Sequence, residues 1–440
     1  MKLSLGRAGA VAGLLGAAFA CSASGEVDTT TPIDPPEDGG GVTLDEASTP
    51  PRDASLPDGL GAVERCSVAG WCITEAPADG FFFKDVWAVG QRAFAVGSSE
   101  SLGTKFLEWD AADGWRFIDK GNDFSNTTNV RAVWAPDEDE VFVLISDLSG
   151  LTGGAFGAII MRGTRPPPPE VRWDWTRTFI RCPAMDTTAT IGGSGRDDVY
   201  AIACGNVFRL NRSALAPDAG AESDGGDEAS PWVQDYVDGD PATPAVFGAI
   251  AGTGPDDMWF VGQRGKTASA RCVVALRKTQ EGYATVIDGV PTAGPGCTPK
   301  PDVAMLGGAL STVHAPAANS LVGTTTVTGG AANELLMIAL ADGAVEIKRT
   351  SAAPKFGVQL TSPWGTSMDD LWIVAHRAVG AGGGVMRATS LWSSDAGSFD
   401  YSTLVINGAP NTEPLERLRG TSNENLWAVG RYRAYVKSTP

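Results

Sequence analysis

The 440-residue chain is 43% hydrophobic and 20% charged, long and apolar enough to fold around a large core, which excludes a wholly disordered protein. Its formal charge of −18 repels phosphate backbones and anionic headgroups, which argues against nucleic-acid binding and against electrostatic attachment to membranes. With 55 Gly, 28 Pro and 13 Trp, the composition favours many short strands joined by turns over long helices.

Residues 1–20 are expected to be an export leader. Lys2 and Arg7 precede an apolar stretch from Ala8 to Ala20, too short to cross a bilayer but suited to the apolar region of a signal peptide. Ala18-Phe19-Ala20 before Cys21 leaves two processing routes open. An ordinary signal peptidase could cut after the small-x-small triplet, or a lipoprotein peptidase could cut before a diacylglyceryl-modified Cys21. The triplet resembles a bacterial lipobox, with Ala18 where Leu is usual.

Cysteine parity favours the second route. Setting Cys21 aside leaves Cys66, Cys72, Cys182, Cys204, Cys272 and Cys297, an even set that can pair in an oxidising compartment. The sequence-local pairing Cys66–Cys72, Cys182–Cys204 and Cys272–Cys297 is one of about fifteen connectivities. It is preferred because each pair falls within one strand-turn unit of the repeat described below. Residues 21–60, rich in Thr, Pro, Asp and Gly, cannot bury enough surface to offset their ordering entropy and are expected to be a flexible tether. By resemblance to the sorting rule of enteric lipoproteins, Ser22 after the cysteine favours the outer membrane or cell surface. No later stretch is apolar for long enough to span a membrane, so membrane contact is expected only through the lipid anchor.

Residues 61–440 carry a repeat: a polar turn, an acidic or amide pair, then apolar-aromatic-apolar and often Val-Gly. It is clearest in Gly252-Thr-Gly-Pro-Asp-Asp-Met-Trp-Phe-Val-Gly262, Trp364-Gly-Thr-Ser-Met-Asp-Asp-Leu-Trp-Ile-Val374 and Gly420-Thr-Ser-Asn-Glu-Asn-Leu-Trp-Ala-Val-Gly430. Weaker copies begin at Asp85, Trp134, Gly193 and His314. The aromatic position then falls at Trp87, Phe142, Tyr200, Trp259, Val322, Trp372 and Trp427, all but Val322 being candidates for packing between repeats. Steps of 50 to 63 residues are too long for a helical solenoid and fit a four-stranded propeller blade with its loops. The expected fold is all-β: a seven-bladed propeller of four-stranded antiparallel blades. Within a blade, the motif forms the second strand, Lys105-Phe-Leu-Glu-Trp109 or Ser390-Leu-Trp392 belongs to a third, and Asp113-Gly-Trp-Arg-Phe117 gives a fourth. After Arg433-Ala-Tyr-Val-Lys437 the last unit lacks a fourth strand, which Gly70-Trp71-Cys72-Ile73 would supply from the other end of the propeller, closing the ring.

The pattern resembles exported bacterial propeller repeats of the form Trp-Gly-Ser-x-x-Asp-Asp-Val-Trp-Ala-Val-Gly, found in many uncharacterised lipoproteins. The resemblance covers roughly Arg65 to Lys437 and implies the propeller but no activity. It departs from WD-type repeats and from the sialidase Asp-box. Ser393-Ser-Asp-Ala-Gly-Ser-Phe399 comes nearest to the latter, with its aromatic one place early.

Candidates for chemistry are few. The two histidines, His314 and His376, fall in blade positions, and no metal or cofactor is expected. The pairs Asp197/Asp198, Asp256/Asp257 and Asp369/Asp370 recur at one place in the repeat, so turn capping is preferred over acid–base work. The acidic stretch from Ala214 to Asp240, with Asp218, Glu222, Asp224, Asp227, Glu228, Asp235, Asp238 and Asp240, is expected to be a mobile loop between the third and fourth strands of one blade. It lacks the spaced ligand pattern of a calcium loop. Trp115, Trp173, Trp175, Trp232 and Trp392, outside the repeat position, are the candidates for exposed stacking surfaces. The expected function is a non-catalytic ligand-binding or scaffolding module, monomeric, for a protein or glycan. The alternative is a carbohydrate-active hydrolase or lyase with carboxylates near a central channel.

Overall fold

The computed structural model describes residues 66–437, omitting 120–128, 148–155, 169, 171, 184–187, 216–229, 266–269, 295, 327–332, 352–357, 378–382, 393–397, 403 and 407–408. The expected leader, Cys21 and the tether therefore lie outside the described residues.

Seven four-stranded antiparallel sheets follow one another along the chain. Their innermost strands are Phe82–Val89, Val130–Asp137, Thr190–Gly195, Val246–Gly254, Ala309–His314, Val358–Ser367 and Leu415–Ser422, for blades 1 to 7. Each inner strand packs beside that of the next blade, and the inner strand of blade 7 packs beside that of blade 1. The ring closes as the chain ends require. Trp71–Thr74 pairs antiparallel with Arg433–Lys437, setting Trp71 opposite Lys437 and Cys72 opposite Val436, and so supplies the fourth strand of blade 7. Blade 7 thereby reaches the same four strands as the other blades, with Trp71–Thr74 as its outer strand.

The hydrophobic cores lie between blades. Phe94, Val96 and Phe106 of blade 1 pack with Val133, Val143 and Trp173 of blade 2, and Trp427 and Val429 of blade 7 pack with Phe83, Leu107 and Trp115 of blade 1. A sheet buried on both faces needs apolar side chains at successive positions, which is why the second strands read Val-Phe-Val-Leu-Ile and Met-Trp-Phe-Val.

Register corrects the first copy of the repeat. Phe142, Tyr200, Trp259, Val322, Trp372 and Trp427 occupy equivalent places on second strands, where they pair with Trp134, Gly192, Ala251, His314, Trp364 and Arg419 of the inner strands. In blade 1 the pair is Trp87 on the inner strand with Phe94 on the second, so Phe94 and not Trp87 is the repeat aromatic. The cause of the misalignment is a local echo, since both Trp87-Ala-Val-Gly90 and Phe94-Ala-Val-Gly97 fit the motif. Sterics separate them. A Cβ at Gly97, Gly262 or Gly430 would run into the backbone of the adjacent inner strand, at Phe82, Val246 and Pro414 respectively, so the repeat glycine is a point of close strand approach.

Two further expectations change. The third strand of blade 6 is Gly383–Thr389, and Ser390 begins a turn with φ 53°, so Ser390-Leu-Trp392 lies beyond it. The disulfides form with the preferred partners, Cys66–Cys72, Cys182–Cys204 and Cys272–Cys297. They do not all stay within one unit, however. Cys182 follows the outer strand of blade 2 and Cys204 sits in a hairpin of blade 3, so that bond ties neighbouring blades. Cys272–Cys297 instead anchors an extra hairpin, Gly289–Pro291 with Cys297–Pro299, inserted between blades 4 and 5. Among the described residues no helix is long and apolar enough to cross a membrane.

Candidate functional site: the central channel

The inner strands expose alternate side chains to the ring axis, so the register fixes two tiers. One tier is set by the positions opposite the repeat aromatics: Trp87, Trp134, Gly192, Ala251, His314, Trp364 and Arg419. The other lies one alternation earlier and includes Asp85, Ala132, Thr190, Ala249, Thr312 and Arg417.

The tiers line the two ends of one axial space. At the N-terminal ends of the inner strands is a cavity of about 380 Å³, within the size range of small-molecule sites. It is lined by Arg131, Arg271, Arg417 and Arg419 with Asp85, beside Thr188, Thr190, Gln263, Ser311 and Thr312, the last two of which bond their hydroxyls to Thr324. Toward the Asp-Asp turns the space narrows to about 110 Å³ and becomes aromatic, bordered by Trp87 and His314 and by edges of Trp134 and Trp364, which are otherwise buried in the cores between blades. Trp87 and Trp134 are 6.2 Å apart by ring centroids and His314 and Trp364 are 5.8 Å apart. Gly193 makes room for this end, since a Cβ there would stand 3.0 Å from the Trp134 ring and collide with the Asp198 carbonyl.

Charge in the channel is held by few contacts. The Val133 N–H donates to Asp85 Oδ2 at 3.0 Å, and Arg417 Nε lies 3.7 Å from Asp85 Oδ1. Burial raises the Asp85 carboxyl above the ordinary aspartate value, against the pull of Arg417 and Arg419. Arg419 donates to Ser362 Oγ at 3.2 Å and to its neighbour's carbonyl, Leu418 O, at 3.0 Å; burial lowers its pKa without discharging it at neutral pH. His314 Nε2 lies 2.7 Å from Gly365 O, a contact made by the neutral ring donating its N–H, and burial lowers the imidazole to about 4. His376 lies on the second strand of blade 6.

The other candidates are structural. The second aspartate of each pair accepts bonds within its own blade, and Asp257 and Asp370 also accept from the next blade. Asp257 takes Thr253 Oγ1 at 2.8 Å, Arg277 Nε at 2.7 Å and the Asn319 N–H of blade 5 at 3.2 Å, while Asp370 takes Arg387 and the Asn423 amide of blade 7. Asp198 accepts from Ser194 Oγ and Tyr200 OH. The acidic stretch is not a single loop. Asp218 to Glu228 fall outside the described residues, but Asp235 is on the fourth strand of blade 3 and accepts from Tyr283 OH. Asp238 joins Asp288 in clamping the buried Arg264, whose hydrogen bonds hold both carboxyls below their ordinary values despite burial.

The proposed stacking surfaces are corrected. Trp115, Trp173 and Trp232 are buried between blades, Trp115 against Phe83 and Trp427, Trp173 against Phe94, and Trp232 against Phe142. Trp175 is half-buried and donates to Ile118 O at 2.9 Å, and Trp392 is half-buried beyond its strand. Outer-strand aromatics fill the widening wedge between blades, so aromatic residues outside the motif position need not be free.

Sequence reasoning missed Arg131, Arg271, Arg417, Arg419 and Asp85. The signal was present for some of them: in blades 2, 3, 4, 5 and 7 the channel-facing residues stand eight and ten places before the repeat aromatic, where Leu415-Glu-Arg-Leu-Arg419 is basic.

Neither a protein-family model nor a curated relative matches the chain. Solved structures match only in fold. Drosophila semaphorin 1a extracellular domains are 8% identical, covering 83% of this chain and 88% of that one at a TM-score of 0.43. A six-bladed fucose-recognising lectin of Aleuria aurantia is 10% identical, with coverage of 81% and 89% and a TM-score of 0.36. An aldose sugar dehydrogenase of Streptomyces coelicolor is 13% identical, with coverage of 72% and 98% and a TM-score of 0.41.

Proposed function

We propose that this chain is an exported, lipid-anchored envelope protein whose propeller binds a small hydroxylated ligand, such as the end of a glycan, in its central channel. The observation that carries this reading is the 380 Å³ polar cavity opening onto a narrower aromatic end. Hydroxyl, amide and guanidinium groups above aromatic faces are the chemistry that sugars use, with hydroxyls hydrogen-bonding and C–H faces stacking. The three disulfides suit an oxidising compartment, and because they consume six cysteines they leave Cys21 for the anchor at the outer membrane or cell surface.

A binding role fits better than hydrolysis. Two-carboxylate glycoside cleavage needs a second acid across the bond, and among the described lining residues Asp85 is the one carboxylate. The test is a glycan panel with the purified chain, read by calorimetry and by product analysis. Saturable binding without shortening of the glycan is expected, and Gly248→Trp, which fills the cavity mouth where a Cβ meets only Thr188 at 3.5 Å, should abolish it. Turnover lost in Asp85→Asn would replace this reading with the enzymatic one. Mass spectrometry of the mature N-terminus tests the anchor, with diacylated Cys21 expected.

A further inference from the structure

We infer that the channel selects an acidic ligand, a saccharide bearing a carboxylate, and that Arg131, Arg271 and Arg417 receive its charge. The inference rests on the channel being a glycan site and adds the class of ligand.

The charge distribution is the first ground. The protein as a whole carries −18, yet the described lining of the wide cavity gathers four arginines against one aspartate, a formal excess of three positive charges in the interior of an acidic molecule. Other interior arginines of this chain are neutralised at close range. Arg264 is held between Asp238 and Asp288, while Arg92, Arg116 and Arg165 share the buried Glu108 and reach Asp110, Asp113, Glu138 and Asp139 besides. The channel is built differently. Among the described residues its one carboxylate is Asp85, 3.7 Å from Arg417, and Arg131 Nε donates to the Ser146 hydroxyl at 3.3 Å. Arg271 Nε is buried without a hydrogen-bond partner, although its own backbone carbonyl accepts from the Gly308 N–H at 2.8 Å next to the Cys272–Cys297 bond. Concentrating uncompensated guanidinium groups in a cavity costs desolvation and mutual repulsion, a cost that an incoming anion relieves.

The identity of the arginines is the second ground. A guanidinium presents paired N–H donors that match the two oxygens of a carboxylate, whereas a hydroxyl needs no such fork. Thr190 and Gln263 in the same lining add neutral polar groups, which suit a polyhydroxylated body better than a bare inorganic ion. The lone Asp85 beside Arg417 limits the charge accepted, favouring one carboxylate per bound residue over a polyphosphate.

The experiment compares trigalacturonate with the neutral trisaccharide maltotriose and with inorganic phosphate, titrated into the full chain in detergent at low and high salt. Binding is read by calorimetry and by the emission of the channel tryptophans. The expected result is trigalacturonate binding at least about tenfold tighter than maltotriose, the size of a single charge-assisted contact, weakening at high salt. Arg131→Gln and Arg271→Gln should each remove most of that preference while leaving the unfolding temperature near that of the parent. Arg417→Gln strands the buried Asp85, so it is interpreted only beside Arg417→Gln/Asp85→Asn. Equal affinity for both trisaccharides would overturn the acidic selectivity and leave the glycan site standing. No binding of either would overturn both. Phosphate binding as tightly as trigalacturonate would mean that the arginines hold any anion, and binding unaffected by Arg131→Gln and Arg271→Gln would put the acidic site elsewhere; each outcome overturns the inference.

Discussion

Two rows of residues face each other in every blade, and they follow opposite rules. On the second strands the row Phe94, Phe142, Tyr200, Trp259, Val322, Trp372 and Trp427 is apolar or aromatic throughout and buried between sheets. Its partners on the inner strands are mixed: Trp87, Trp134, Trp364 and His314 are aromatic, while Gly192, Ala251 and Arg419 are not. The first row solves one packing problem seven times, so it repeats. The second lines an axial space where each blade contributes a different wall, and what varies there is free to recognise something.

Substitution at the two rows should separate them most sharply in blade 1, where the sequence motif is ambiguous. Phe94→Ala removes a fully buried ring from the seam with blade 2 and should cost about 3–5 kcal/mol in chemical unfolding. Trp87→Ala, at a half-buried position, should cost distinctly less despite the larger side chain. The reverse order would restore Trp87 as the repeat aromatic and shift the channel register of that blade.

The seam between blades 2 and 3 offers the next effect. Cys182–Cys204 closes a separation of 22 residues, worth about 3 kcal/mol on a chain-entropy account. Cys182→Ser/Cys204→Ser should lower stability by about that amount while leaving ligand affinity at the channel unchanged. A coupled loss of affinity would show that the seam, and not the inner strand alone, sets the channel wall.

How legible each row was follows from this contrast. Repetition made the second strands readable, since Asp-Asp-x-Trp-x-Val-Gly can be aligned against itself, and the missing fourth strand of blade 7 pointed to Trp71. The channel could not be found the same way, because its positions change residue from blade to blade: Asp85 shares its tier with Ala132, Thr190, Ala249, Thr312 and Arg417, and Arg271 lies off the inner strands. The non-motif tryptophans misled for a related reason. Trp115 and Trp173 are irregular in sequence, yet they fill wedges between blades whose width is a property of the ring. Composition also could not show that an acidic protein keeps an arginine-rich interior.

Within the channel row, His314 provides a pH test. Its imidazole is held at about 4 by burial, whereas the unfolded ring titrates near its ordinary 6.5, so the unfolded state takes up the proton first as pH falls. Stability is therefore complete above pH 6.5 and should decline by about 2 kcal/mol on reaching pH 5. Asp85, held up by burial, opposes this by gaining stability on protonation, so the readout is the difference between the parent and His314→Gln. Glutamine retains a donor toward Gly365 O without titrating, so the parent should lose about 2 kcal/mol relative to it between pH 6.5 and pH 5. Identical slopes would mean that the ring takes up its proton in place and that the aromatic end of the channel admits water.

The smallest expected effect on stability carries the most information about function. Thr190 sits on the inner strand of blade 3, half-exposed, where it lines both ends of the channel. Thr190→Val keeps the β-branched shape that the strand favours and should change stability by less than about 0.5 kcal/mol. If the channel binds a hydroxylated ligand, loss of the threonine hydroxyl should weaken binding several-fold, because the ligand group it served is left unpaired in the bound state. Stability and affinity would then move independently at one residue. A second-strand substitution such as Trp259→Ala should instead lower both together, since the wall of blade 4 cannot hold its shape once the seam behind it is emptied.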